Sequence, residues 1–299
     1  MINLFEINKR LSLTIFFFSI ICFILFDLKI DSIYTILGCF FLIATFGVSH
    51  GSLDHLKGYK ILKLYRIKQK FIFYFVYVFI SFITILFWNF YPLFTLVIFL
   101  IVASYHFGKE DSEFGKIQKR KFINFYYFLK GSIIILAPLY TNSSETLKIF
   151  ERLNVHSISF HSDVIFFFIF LSILSNFFIS KNIFISLIDS LTIIILNFTF
   201  NPLVAFTIYF CFLHSSRHAL SLVKKLNNRN LTKGLKNFIR LAMPLTFITG
   251  FLFLISVYFL TNYYDLNDAI LKVIFIGLAS LTFPHILLEY LLEKNEKRT

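Results

Sequence analysis

The chain is poor in charge. Of its 299 residues only 15% are Asp, Glu, Lys or Arg, against 58% hydrophobic. A water-soluble domain of this length would carry roughly a quarter charged residues. Cysteine is scarce as well: Cys22, Cys39 and Cys211, all inside apolar runs, which excludes a disulfide framework. No small-residue cleavage site follows the first apolar run, so Leu11 to Phe26 is kept as a membrane span rather than a signal peptide. No soluble domain, low-complexity linker or internal repeat is visible. What fills the sequence is apolar segments, each long enough at about 20 residues to cross a bilayer. The mean hydropathy is +0.77. A soluble fold could not hide that much apolar surface.

The pattern predicts an all-α, polytopic membrane bundle of ten spans in one domain, 1–299. The spans are about 11–26, 32–50, 71–88, 92–108, 122–140, 163–180, 183–200, 202–222, 241–260 and 269–290. The net charge of +13 would point to nucleic acid in a soluble domain. Here the basic residues fall in alternate loops: Lys9-Arg10, Lys57 to Lys70, Lys109 to Lys121, Lys181, Lys224 to Arg240 and Lys294 to Arg298. Loops such as Asp27 to Asp31 and Thr141 to Ser162 lack that excess. The alternation argues against nucleic acid and predicts both termini and every basic loop in the cytoplasm. The high phenylalanine count of 44 accompanies many Ile, Lys and Asn and is not read as a ligand-lining signal.

Five of the eight histidines lie late in even-numbered spans: His50, His106, His214, His218 and His285. Even spans run from outside to inside in this topology. At about 1.5 Å per residue, all five therefore share a layer just below the cytoplasmic headgroups. His214 and His218 are four residues apart and project from one helical face, as two ligands of one metal do. Imidazole suits iron, zinc, copper or nickel. Asp54, Asp111 and Asp189 fall in the same layer and are candidates to orient the imidazoles. Arg217 is a partner for Asp189 or snorkels to the interface.

A single membrane histidine often only hydrogen-bonds a neighbouring helix, but four or five at one depth favour a metal. His55 is assigned a supporting role. His156 and His161, in the outer loop, are read as surface residues. Glu289 is read as interfacial. Gly47, Gly51 and Gly108, beside the histidines, permit close helix approach.

Four ordered elements carry a family resemblance. They are Gly47-Val-Ser-His50-Gly-Ser-Leu-Asp54-His55, Ser104-Tyr-His106-Phe-Gly-Lys-Glu-Asp111, Tyr209-Phe-Cys-Phe-Leu-His214-Ser-Ser-Arg-His218, and Phe275-Ile-Gly-Leu-Ala-Ser-Leu-Thr-Phe-Pro-His285. They are similar to those of the Brp/Blh family of bacterial and archaeal membrane β-carotene dioxygenases, over about 40–290. Ser52 stands where Ala is commoner, and the first span is peripheral to the family core.

The resemblance implies cleavage of β-carotene by O₂ at its central 15,15′ double bond, giving two molecules of all-trans-retinal. It implies one ferrous iron, Fe(2+), held by His50, His106, His214 and His218. His285 is a fifth ligand or lines the site. The implied setting is the inner (plasma) membrane. Lipid delivers the substrate there, and a retinal-binding rhodopsin takes the product. Two alternatives stay open at this stage. One is a di-iron desaturase or hydroxylase, which needs about eight histidines and usually a His-x-x-His-His box that this chain lacks. The other is a non-catalytic metal-binding transporter.

Overall fold

The computed structural model describes residues 3–25, 32–113, 122–156 and 158–296. The loop Asp27 to Asp31, most of the basic stretch up to Lys121, and Arg298 lie outside them. Described residues are almost wholly helical, and this bears out the all-α membrane class. In chain order the helices are α1 (Leu4–Leu25), α2 (Ile33–Leu42), α3 (Asp54–Leu64), α4 (Phe71–Phe90), α5 (Pro92–Glu113), α6 (Ile123–Thr141) and α7 (Ser143–Arg152). They continue with α8 (Ser162–Ile179), α9 (Ile183–Thr199), α10 (Pro202–Ile208), α11 (Ser216–Leu226), α12 (Leu231–Leu260) and α13 (Leu266–Glu296).

Among the described residues, eight helical rods are long and apolar enough to cross a membrane. The other two expected spans fall on α9, which has 17 residues, and on the rod Pro202 to Leu226, which is not uniformly α-helical. The expected outer loop Thr141 to Ser162 contains α7, whose Thr146 and Phe150 are buried against the bundle.

Local chemistry sets the helix starts. Asn201 Oδ1 accepts from Val204 N (2.9 Å), and Pro202 occupies the first turn, where its missing N–H costs nothing. Asn230 Oδ1 accepts from Lys233 N (3.0 Å) and starts α12 ten residues before the expected span at 241. Two rods are wound differently at the histidines. Residues Ile43–Gly47 form a π-helical turn followed by a 3₁₀ turn, His50–Leu53, that leads into α3. Tyr209–Ser215 is a π-helical segment between α10 and α11, and it contains His214. Such interruptions inside α-helices recur at functional sites.

The outward faces of α4 and α12 carry Phe75, Phe79, Phe82, Phe247 and Phe251, a surface suited to lipid. Close approach is built in where α5 crosses α6. A Cβ on Gly108 would collide with the Tyr127 carbonyl, and one on Gly131 with the Ser104 carbonyl. The glycines let the two backbones touch, and this holds the His106 end of α5 inside the bundle.

Candidate metal centre

Four histidines converge from three rods. His106 comes from α5, His214 and His218 from the π-helical segment and α11, and His285 from α13. All are buried: 4%, 1%, 8% and 3% exposed. Ring centroids lie 5.3 Å apart for His106 and His214, 5.2 Å for His106 and His285, and 5.7 Å for His218 and His285. The backbone of His50 opens the 3₁₀ turn at the edge of this cluster, with its neighbour Gly51 close to the His285 ring. The side chain of His50 lies outside the described atoms. His55 stands apart, its Nδ1 3.0 Å from the Ser52 carbonyl. His156 and His161 are exposed, as expected.

Three of the four rings turn Nδ1 toward a carboxylate. His285 Nδ1 donates to Asp54 Oδ2 (2.7 Å), and His218 Nδ1 donates to Glu110 Oε1 (2.7 Å). His214 Nδ1 lies 3.6 Å from Asp111 Oδ1. A carboxylate beside Nδ1 favours the proton there and leaves the Nε2 lone pair for a metal. The acids are themselves anchored. Asp54 accepts from Tyr77 (3.1 Å) and pairs with Lys57 (3.6 Å). Asp111 accepts from Tyr209 (2.7 Å) and faces Arg217 Nη1 (3.3 Å). Asp189 is held by Arg217 Nη2 through both oxygens (2.7 and 2.8 Å).

Asp54 meets His285, from a different rod. One sequence expectation is corrected. Glu289 is not a plain interfacial residue. It accepts from Lys57 Nζ (2.8 Å) and lies 3.8 Å from both His106 Nδ1 and His285 Nε2. Glu110 was missed altogether. The signal was present: Glu110 follows His106 by four residues, as Glu289 follows His285. One ligand atom from each of His106, Glu110, His285 and Glu289 can be chosen so that all lie within 4.8 Å of one another. Bonds of about 2.1 Å to one metal would space such atoms by roughly 3 to 3.5 Å, a side-chain adjustment away.

The donor set fits a divalent cation. Glu110 Oε2 is buried with no hydrogen-bond partner among the described residues, and His214 Nε2 is 3.6 Å from it. The carboxylates of Asp54, Glu110, Asp111, Asp189 and Glu289 gather in this layer with the cations Lys57, Lys130 and Arg217. Among the described residues, five negative groups against three positive ones leave a deficit of the size that one divalent ion would fill. An uncompensated carboxylate at membrane depth would otherwise be costly. Beside the cluster, an apolar cavity of about 130 Å³ lies between α3, α4 and α13, lined by Ile61, Phe73, Val76, Leu287 and Leu288. Tyr77 lines it too, and its hydroxyl ties Asp54 to the Leu281 carbonyl (3.3 Å).

A helical membrane bundle enclosing a histidine–carboxylate cluster that could hold a metal is an arrangement suited to a membrane enzyme. Comparison with known proteins makes the class specific. Residues 41–293 match the family described as β-carotene 15,15′-dioxygenase. The chain belongs to that family and is an oxygenase. A relative from uncultured marine bacterium 66A03, named β-carotene 15,15′-dioxygenase, is 29% identical over 266 residues, 86% of this chain and 94% of the relative. No solved structure matches.

Proposed function

We propose that the chain cleaves β-carotene with O₂ at the central 15,15′ double bond, giving two molecules of all-trans-retinal. That bond breaks completely, and each of its carbons takes one oxygen atom of O₂. The reading is supported first by one observation: three buried histidines from two rods present Nδ1 to carboxylates and face a common centre with His106. Under this reading Fe(2+) is held by His106, His214 and His218, by His50 as the family resemblance implies, and by some of His285, Glu110 and Glu289. Ferrous iron supplies the activation of O₂.

The protein groups do the rest. Asp54, Asp111 and Glu110 keep the ring protons on Nδ1. Arg217 and Lys57 neutralise the acids. The burial of all four rings keeps bulk water from the reacting carbons. β-Carotene has no polar group, so its site needs only an apolar slot reached from the lipid. The apolar cavity between α3, α4 and α13, at about 130 Å³, would seat only part of that substrate, and Tyr77, which lines it, reaches Asp54. The product passes to a retinal-binding partner of the rhodopsin type. The whole chain is one multi-pass unit of the inner membrane, with ten crossings and cytoplasmic termini. Membership of an oxygenase family leaves the transporter alternative without support.

The test is expression in carotenoid-producing bacteria. Chromatography should show loss of β-carotene and a matching gain of about two retinals per carotene. Apocarotenals of unequal length would move the cut away from the centre, and unchanged carotene would sink the proposal. Reporter fusions after residues 60, 115, 150, 230 and 265 should read in, in, out, in, out.

A further inference from the structure

The strongest unassigned feature is the contact of α1 with the buried guanidinium of Arg217. The family match begins at residue 41, so all of α1 lies outside it. Yet Asn8 and Ser12 are buried at 2% and 1% exposure, on a helix whose later turns are largely exposed. Arg217 Nε donates to Asn8 Oδ1 (2.7 Å), and Nη2 donates to Ser12 Oγ (2.8 Å). The same Nη2 also donates to both oxygens of Asp189 (2.7 and 2.8 Å), and Nη1 faces Asp111 (3.3 Å). Asp111 in turn lies against His214 Nδ1.

We propose that α1 is a working part of the metal centre: Asn8 and Ser12 are positioning residues that hold Arg217 against Asp111 and thereby set His214 for iron. The inference rests on the metal-site reading above.

The physical argument concerns a planar donor with fixed directions. A buried guanidinium needs acceptors along all its edges. Asp189 takes Nη2 through both oxygens, at 2.7 and 2.8 Å, and draws Arg217 toward α9. Asn8 and Ser12 supply equally short acceptors on Nε and on the same Nη2, from α1 packed beside α9. They fix the rotation that leaves Nη1 aimed at Asp111. Without them the guanidinium can turn fully onto Asp189, and Asp111 loses its cation. An Asp111 freed in this way no longer holds the His214 proton in place. Partners that orient a ligand imidazole typically change metal affinity by about 10- to 100-fold.

The test compares three α1 variants in the full chain, reconstituted in lipid nanodiscs. Asn8→Leu with Ser12→Ala removes both acceptors. Asn8→Asp keeps an acceptor on Nε. Cys22→Ala loosens the packing of α1 on Leu196, Phe200 and Ala205 without touching Arg217. Affinity for added Fe(II) is read by competition with a chromogenic chelator, and melting temperature is read beside it. The double variant should bind Fe(II) about tenfold or more weakly. Asn8→Asp should bind near wild type, and Cys22→Ala should melt lower with unchanged iron affinity. Wild-type affinity in the double variant overturns the inference. So does an equal loss in Cys22→Ala, which would make α1 mere packing. A wild-type chain that holds no metal sinks the metal-site reading and this inference with it. A wild-type chain that holds iron as tightly as its double variant sinks this inference alone.

Discussion

The two ends of the bundle are held together by different chemistry. At the histidine end, carboxylates, imidazoles, Lys57 and Arg217 link six separate rods through short polar contacts. At the opposite end, apolar packing dominates around Trp88, Leu153, Phe150 and Ile270. Polar contacts there mostly reach backbone or loop groups, such as Trp88 Nε1 to the Leu153 carbonyl (3.2 Å), Asn142 Nδ2 to the Phe200 carbonyl (3.3 Å) and Lys272 to Asn154 (3.0 Å), with Arg152 beside Asp268 (3.4 Å). Apolar packing suffices to join helices. A dense ionic layer at membrane depth is expensive to assemble, and stability alone does not call for it. The difference between the ends therefore points to a ligand that only the histidine end must hold.

The sharpest break in the comparison is at the rings. Replacing His106, His214 or His218 by Ala should abolish cleavage and remove bound iron, measured by metal analysis and retinal formation. His156→Ala and His161→Ala, at the exposed opposite end, should leave both unchanged. Full iron content in His214→Ala would remove the proposed centre. His285→Ala decides between a fifth ligand and a lining role: loss of iron means ligand, and kept iron with slower turnover means lining.

The carboxylates come next. Glu110→Gln keeps the size of the side chain and removes its charge. It should lower iron affinity by about 10- to 100-fold, because the group both accepts from His218 and points an oxygen with no hydrogen bond among the described residues into the cluster. Glu289→Gln should act in the same direction, with an added loss of its pairing to Lys57. Asp54→Asn and Asp111→Asn should weaken iron binding or turnover per iron within that same range. Unchanged iron and turnover in all four would leave the histidines standing and refute the carboxylate shell.

Much of this layer is legible in the sequence. Hydrophobic runs and alternating loop charge place the spans closely enough to expect five histidines at one depth, and the rings of four of them meet. The spacing of His214 and His218 shows a shared face. What spacing cannot show is which rod a side chain meets. The 3₁₀ turn at His50–Leu53 and the packing of α13 bring Asp54 to His285, 231 residues away in sequence. The four-residue rule applied to the histidine pair applies equally to His106 and Glu110 and to His285 and Glu289. The nearness of those acids to the basic loops hid this, because a charge near a helix end is usually solvated. The part played by α1 is invisible for a related reason. Asn8 and Ser12 are ordinary residues near a chain end, and only the packing of α1 on α9 brings them to Arg217.

A milder perturbation tests the scaffold that sets the rings. Gly108→Val places side-chain atoms where the Tyr127 carbonyl sits, so α5 and α6 must separate. Overpacking of this kind costs about 1 to 3 kcal/mol. Gly108 is two residues from His106, so melting temperature and iron content should fall together. A variant with lower melting temperature and wild-type iron affinity would show that the ring positions tolerate a shift of α5.

The smallest expected effect lies at the far end, and it bears most directly on the comparison. Trp88 is 2% exposed, and its indole N–H reaches the carbonyl of the fully buried Leu153, just after α7. Trp88→Phe keeps an aromatic ring against Phe99 and removes that donor. Loss of one buried hydrogen bond costs about 0.5 to 1.5 kcal/mol, and the smaller ring adds a packing loss. The melting temperature should therefore drop modestly, read in the same lipid and at the same protein concentration as wild type. Iron affinity and turnover per iron should not change, because nothing at this end orients a ring. If Trp88→Phe lowers iron affinity as much as Asp54→Asn does, the two ends are coupled through the rods. The division into a packed end and a ligand-holding end would then be wrong.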